Sequence, residues 1–308
     1  MTDARSVAVL MGGTSNEREV SLVSGNAVVE ALRERGFDAR PIDYSGDVAA
    51  LIGALNDRPD VVFNALHGRY GEDGCIQGVL ELAGLRYTHS GVLASALAMD
   101  KPMAKRLFVE AGIPCTEHVI ATRDEILGGD VMSLPYVIKP LNEGSSVGVR
   151  IVRESRDKPA FGDEDWPFGD RVMVERYVPG REITVAVMGD RPLAVTELRP
   201  KQGFYDYDAK YTDGMTDHLI PAPIPESVYS AALEHAETAH RTLGCRGVSR
   251  ADFRYDDTAG EPGSLYLLEI NTQPGLTPLS LAPEQAAYAG IDFGDMVAWM
   301  VENASCDS

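Results

Sequence analysis

The densest grouping of residues that could do chemistry lies near the C-terminus, in Val248 to Tyr255 and Leu265 to Thr272. Each stretch reads as a strand. Residues two apart on a strand share a face, so Arg250 points with Asp252, and Glu269 with Asn271. If the two strands form an antiparallel pair with residues 256 and 265 opposite each other, then 252 faces 269 and 250 faces 271. Two carboxylates, an amide and a guanidinium converge. Oxygen ligands of this kind suit magnesium, which keeps waters and binds through one or two carboxylates plus substrate phosphates. The plain alternative is an exposed charged face with an Asp-Arg pair. Against it, Leu265 and Leu267 are placed on the same face that turns polar at Glu269, and sites are built where a buried strand turns polar at its end.

Three loops add candidates. Glu143-Gly144-Ser145-Ser146-Val147-Gly148 follows a strand ending in Lys139-Pro140, and its glycines and hydroxyls let backbone amides wrap an anion. It leads into a second strand, Val147 to Val152, which excludes a Walker loop, since that turns into a helix. Lys139, and Lys101 at the start of a helix, are placed to supply positive charge to phosphates. Met11 to Glu17 follows the first strand without G-x-G-x-x-G spacing, so a dinucleotide reading is weak. His67 to Gly74 follows the third strand, on the same rim of a doubly wound sheet.

The elements that must position these residues change character along the chain. Val7 to Met11, Ala39 to Asp43 and Val61 to Ala65 are short apolar runs. They alternate with helical patterns over Val20 to Arg35, Val48 to Leu55 and Ile76 to Ala83, which predicts a parallel sheet with helices on its faces. Asp100 is placed to cap a helix over Lys101 to Ala111, closed by Gly112 and Pro114. From Cys115 onward, closely spaced strands follow at Tyr136 to Lys139, Val147 to Val152, Val172 to Tyr177, Ile183 to Met188 and Leu193 to Leu198, with a hairpin at Gly189-Asp190. Arg153 to Arg171 and Pro200 to Pro223 show no period and read as loops, the second long enough to be functional. Helices are expected over Glu226 to Leu243 and Phe293 to Val301.

The 308 residues carry 28 Lys and Arg against 47 Asp and Glu, a formal charge of −19 that repels other polyanions and argues against nucleic-acid binding. No apolar run approaches a membrane span, the start has no signal-peptide core, and Cys75, Cys115, Cys245 and Cys306 are scattered. A reduced, cytoplasmic protein without membrane attachment is the expectation.

Several runs together resemble the D-alanine D-alanine ligase family of the ATP-grasp superfamily. They are Met11 to Ser15 with Glu17 to Ser21, Ala65 to Gly68, Gly91 to Lys101, the Glu143 to Gly148 loop, Phe204 to Tyr211, and Leu268 to Gly275, in the family's order over nearly the whole chain. The resemblance implies an N-terminal parallel α/β domain (1–95) that binds substrate. It also implies an ATP-grasp fold of two domains with antiparallel sheets (96–180 and 181–308) that hold ATP between them. The implied reaction phosphorylates the carboxylate of one D-alanine and joins it to the amine of a second, for peptidoglycan, with two magnesium or manganese ions and a homodimeric assembly.

By the same resemblance Lys101 and Lys139 hold phosphates, and Glu143, Gly144, Ser145, Ser146 and Val147 form the loop over them. Glu175 and Glu182 hold adenine and ribose, and Asp252, Glu269 and Asn271 bind metal. Arg250 and the backbone amide of Gly275 stabilise the tetrahedral oxyanion. Glu17 holds the first D-alanine's ammonium near His67, and Ser145 and Tyr211 complete a hydrogen-bonded triad with Glu17. Lys210, also placed at the nucleotide, holds the second D-alanine's carboxylate with Ser280 and the backbone of Leu281. The segment around Tyr205 to Tyr211 corresponds to a loop that closes over the site. The alternatives are a ligase using D-lactate or D-serine, and a nucleotide-binding module without catalysis.

Overall fold

The structure, a computed structural model, describes residues 4–142, 148–154, 169–201 and 214–306. Strands β1 (Ser6–Gly12), β2 (Asp38–Tyr44) and β3 (Val61–Asn64) form a parallel sheet in the order β2-β1-β3. Helices α1 (Arg18–Glu34), α2 (Val48–Ala54) and α3 (Cys75–Leu82) alternate with them. Strand β1 is apolar on both faces because both are covered. Val7, Val9 and Met11 pack with Val28 and Leu32 of α1, while Ala8 and Leu10 pack with Leu51 of α2 and Ile76 and Leu80 of α3. The carboxyl ends of β1 and β3 therefore lead straight into the segments that carry Glu17 and His67.

Helices α4 (Val92–Met99) and α5 (Lys101–Glu110) follow, hinged at Asp100, whose side chain accepts the Met103 amide at 3.0 Å as the cap that the sequence predicts. Strands β4 (His118–Thr122), β5 (Tyr136–Pro140), β6 (Arg150–Val152) and β7 (Arg171–Arg176) make an antiparallel sheet in the order β4-β7-β5-β6, with the short helix α6 (Arg123–Gly128) after β4. A second antiparallel sheet runs β10-β9-β8-β11-β12, from β8 (Arg181–Met188), β9 (Arg191–Pro200), β10 (Thr216–Leu219), β11 (Val248–Asp256) and β12 (Ser264–Asn271). Helix α7 (Glu226–Leu243) lies on one face, where Val228, Ala232 and Ala236 meet Val185, Phe253 and Leu267, and Ala104 and Phe108 of α5 join that core. On the other face Ala186 and Val248 pack in one core with α8 (Leu281–Tyr288), α9 (Phe293–Glu302) and α1, which ties this sheet to the N-terminal one.

The β11–β12 register corrects the expected one at its anchor and keeps it at the site. Asp256 pairs with Ser264, not with residue 265, and Phe253 with Leu267. A bulge after Asp252 absorbs one residue, so that Asp252 still faces Glu269 and Arg250 still faces Asn271. The same bulge overturns the expected face. Leu267 and Ile270 are buried on the α7 side, while Leu268 and Glu269 turn to the opposite side. The apolar-to-polar switch is thus made by the bulge, not by alternation along one face.

The segment expected to loop from Pro200 to Pro223 contains β10, hydrogen-bonded to the end of β9 from Glu197 to Pro200. Strand β4 and helices α6 and α8 were not anticipated. Strand β4 is a sheet edge with Val119 and Ile120 exposed, so its alternation is blurred. The loop Glu143 to Val147, with Ser145, and the segment holding Lys210 and Tyr211 lie outside the described residues.

Candidate active site

Between the two antiparallel sheets is a cavity of about 660 Å3, lined by Lys139 of β5, Glu175 of β7, Glu182 of β8, Asp252 of β11, Glu269 of β12 and Lys101 of α5. Six of the residues expected from the sequence thus share one wall-to-wall space. Glu175 is 2% exposed. Its Oε1 takes Lys105 and the Thr116 hydroxyl, and its Oε2 takes Lys139. Burial alone raises the pKa of this carboxyl, but the ammonium groups of Lys139 and Lys105 outweigh it and hold the group at about 2. Lys105 also donates to Thr116 at 2.7 Å. Glu182 sits 3.5 Å from Arg254.

In the cavity wall Asp252 accepts four hydrogen bonds from three side chains. Arg250 donates through Nε and Nη2 at 2.8 and 2.7 Å, Thr184 at 2.6 Å and Asn271 at 2.9 Å. Directly across the ladder, Glu269 lies 3.2 Å from Lys101 Nζ. Among the described residues no three His, Cys, Asp or Glu side chains gather closely enough to hold a metal ion by themselves. Two facing carboxylates beside an amide nonetheless fit a magnesium ion that draws its remaining ligands from phosphates and water.

A second polar grouping is built from the carboxyl ends of β1 and β3. Glu17 and His67 are both buried, and Ser15 donates to the His67 carbonyl at 2.7 Å. Ser24 Oγ lies 3.3 Å from His67 Nε2. Gly68 holds φ at +70°, and a Cβ there would stand 2.7 Å from Glu17 Oε2, so glycine is required twice over. Burial, with Arg250 adding to it, keeps His67 neutral although Glu17 favours the charged form. Glu17 and Arg250 thus both act on His67, each from a separate element. Glu72, in the loop after His67, is pushed up to about 8 by burial and then by Glu17, with Lys101 opposing and Glu269 adding a little.

A polar brace crosses between the two halves. Gln273, just past β12, donates to the Leu66 carbonyl and accepts from Asn64 at 2.8 Å, and Asn64 donates to Gly71 at 3.0 Å. Gly275 follows in a turn where Ser280 Oγ accepts the Thr277 amide at 2.9 Å. A Cβ on Gly275 would stand 2.8 Å from that hydroxyl. Leu281 is buried against Leu198 at the head of α8.

Lys105, Thr116, Thr184 and Gln273 escaped the sequence reading. Lys105 had a signal: the buried stripe of α5 runs Lys101, Ala104, Lys105, Phe108, which places two lysines on an otherwise apolar face. Gln273 had none, because its partners lie 207 and 209 residues away.

Residues 107–302 match the family model described as D-ala D-ala ligase C-terminus, and residues 48–90 match that of the D-ala D-ala ligase N-terminus. The chain is 57% identical over 307 residues to the D-alanine–D-alanine ligase of Paramagnetospirillum magneticum, covering 99% of this chain and 100% of that one. It is 58% identical over 300 residues to the D-alanine–D-alanine ligase of Acidiphilium cryptum, covering 97% and 98%. The solved D-alanine–D-alanine ligase from Bacillus anthracis complexed with ATP superposes with a TM-score of 0.82 at 30% identity, covering 98% and 97%. The VanG D-Ala:D-Ser ligase from Enterococcus faecalis gives 0.78 at 31%, covering 97% and 99%. With two sheets closing on a cavity of paired lysines and carboxylates, and relatives this similar from end to end, the chain belongs to the D-alanine–D-alanine ligase family.

Proposed function

We propose that this chain joins two D-alanine molecules into D-alanyl-D-alanine with ATP as the energy source, releasing ADP and phosphate for peptidoglycan precursor synthesis. The observation that carries this reading is that His67, which feels both Glu17 and Arg250, is tied through the hydrogen bonds of Arg250 to Asp252 in the wall of a cavity also lined by Lys101, Lys139, Glu175 and Glu182. An amino-acid site and a polyphosphate site are thereby adjacent.

Glu17 accepts the ammonium of the first D-alanine, and neutral His67 sits beside it without competing for charge. The carboxylate of that D-alanine attacks the γ-phosphorus of ATP, and ADP leaves. Lys101 and Lys139 neutralise the charge on the moving phosphoryl group, since such a transfer is catalysed mainly by positioning and electrostatics. Asp252, Glu269 and Asn271 would hold magnesium or manganese there, two ions in our reading, which supplies further charge neutralisation to the phosphates. The amine of the second D-alanine, its carboxylate held by Ser280, the Leu281 backbone and Lys210, then attacks the acyl carbon. Arg250 and the Gly275 amide stabilise the oxyanion, and phosphate departs as it collapses. Ser145 and Tyr211 complete the triad with Glu17, and the Glu143 to Val147 loop covers the phosphates. The enzyme works in this reading as a cytoplasmic homodimer. No helix among the described residues is long and apolar enough to cross a membrane.

Purified protein incubated with ATP, magnesium and D-alanine should release phosphate in step with a product of dipeptide mass. Parallel reactions with L-alanine, and with D-alanine plus D-lactate or D-serine, should give none of the corresponding products. A mixed product formed in preference to the D-alanine dipeptide would replace this substrate assignment, and ATP binding without any product would overturn the ligase reading.

A further inference from the structure

A single buried carboxylate, Glu175, holds two lysines, and the two are not equivalent. Lys139 lines the cavity and reaches Oε2. Lys105 lies behind it on α5, 1% exposed, and shares Oε1 with the Thr116 hydroxyl, to which it also donates. We propose that Lys105 is a positioning residue for nucleotide binding: it is the fixed counter-charge of Glu175, and it thereby frees Lys139 to exchange Glu175 for the phosphates of ATP. This inference rests on the reading above that Lys139 meets those phosphates.

The physical need is plain. Turning Lys139 toward a nucleotide breaks its pair with Glu175, and a carboxylate this deeply buried keeps its charge only if another cation stays with it. Lys105 has nowhere else to go, because its ammonium is enclosed between Thr116 and Glu175. The dependence is mutual, since burial pushes the Lys105 ammonium toward its neutral form and Glu175 opposes this. Two ammonium groups on one carboxylate also leave a net positive charge facing the cavity of a chain whose formal charge is −19. The other groups facing Glu175 are Cys115 and Thr116 ahead of β4, and His118, its partner in the β4–β7 register. Of these, His118 is held below the usual imidazole range by burial and then by Lys105, so that removing Lys105 raises it, and the test is made in a His118→Gln background.

Calorimetric titration with ATP and magnesium, without D-alanine, from pH 6 to 8 and in two buffers of different ionisation enthalpy, separates the outcomes. Lys105→Met should weaken ATP binding roughly 100-fold. It should add uptake of about one proton per nucleotide bound, because Glu175 is left without a cation when Lys139 departs. The affinity of that variant therefore rises as pH falls. Lys105→Arg should restore both affinity and proton balance. In a Glu175→Gln background the Lys105→Met change should cost less than about threefold, since no carboxylate then needs a counter-charge. Equal loss with and without the carboxylate, or loss without proton uptake, overturns the proposal. Should Lys105→Met alone fail to show a cooperative melt, the comparison of Glu175→Gln with Lys105→Met/Glu175→Gln decides by itself: a loss beyond threefold overturns the proposal. Failure of the ligase reading shows separately, as ATP binding by the unaltered protein without dipeptide.

Discussion

The two halves of the site are held in opposite ways. Around the cavity between the antiparallel sheets, the fixing interactions are ion pairs: Lys105 and Lys139 on Glu175, Lys101 on Glu269, Arg250 on Asp252. Where the parallel sheet delivers Glu17 and His67, they are hydrogen bonds among neutral groups: Ser15 to the His67 carbonyl, Ser24 to its ring, Gln273 to Asn64 and Leu66. Ion pairs between side chains and an incoming polyanion can be exchanged. A buried neutral network has no such alternative partner, so it serves to hold one shape. In the proposed function, the nucleotide side is thus built for exchange and the amino-acid side for pre-organisation, with Arg250 at the junction.

The largest effect should come from that junction. Arg250→Met removes the proposed oxyanion donor and two of the four hydrogen bonds to Asp252, leaving those from Thr184 and Asn271. The expected loss in kcat is roughly 100- to 1000-fold. ATP affinity, measured by calorimetry without D-alanine, should change only a few-fold. A loss of ATP binding as large as the loss of kcat would mean that Arg250 belongs to the nucleotide half alone.

Next comes the brace. Gln273→Leu leaves the Leu66 carbonyl without its buried donor and removes one of two acceptors from Asn64. Stability should fall by about 2 to 3 kcal/mol in denaturant titration. KM for D-alanine should rise about tenfold while KM for ATP holds. If the two constants move together, the brace carries both halves and the contrast between them fails.

Much of this was open to a reading of the sequence, for reasons particular residues make clear. The Arg250, Asp252, Glu269, Asn271 constellation was legible because strand alternation is local, and Asp100 was legible as a cap because capping is decided within four residues. The bulge after Asp252 was not, since a bulge is a property of two strands and the predicted anchor at residues 256 and 265 presumed none. Two errors there cancelled: the wrong turn register and the missing residue together returned the right facing pair. Strand β4 was lost because an edge strand with exposed Val119 and Ile120 has little alternation to read. Gln273 was beyond reach altogether, as nothing near it in sequence marks a brace to Asn64.

Acid should separate the two halves by about 2 kcal/mol. His89, packed edge-on against Phe63 beside the amino-acid side, is held by burial at about 3, far below the 6.5 of the exposed ring. A base whose folded pKa is lowered is protonated more readily when unfolded, so its share of stability is lost as pH falls from 6.5 toward 3. Between pH 7 and 5 that share is about 2 kcal/mol, and His67, also lowered, acts in the same direction. Glu175 works in a lower window, keeping its contribution above pH 4.5 and losing it toward 2. From pH 7 to 5 the melting temperature should therefore fall, and His89→Asn, which tolerates the positive φ of 68° at that position, should flatten the fall. A melting curve indifferent to pH in this interval would remove the histidines from the account of how the amino-acid side is held.

The smallest expected effect gives the sharpest comparison. Glu182 lines the cavity at partial exposure with Arg254 3.5 Å away, whereas Gln273 is buried. Glu182→Gln removes a charge and keeps the shape, so the fold should be unaffected. If the carboxylate receives a ribose hydroxyl, its loss is that of one charge-assisted hydrogen bond at a partly wet site, about 1 kcal/mol, or roughly fivefold in KM for ATP. KM for D-alanine and kcat should stay within experimental error, because Glu182 stands on β8 in the cavity wall while Glu17 stands at the head of α1 beside the parallel sheet. Set beside Gln273→Leu, this variant completes a crossed pair in which each change moves one substrate's constant and spares the other's. A fivefold shift in both constants from Glu182→Gln would show instead that the two halves answer to each other before any nucleotide is bound.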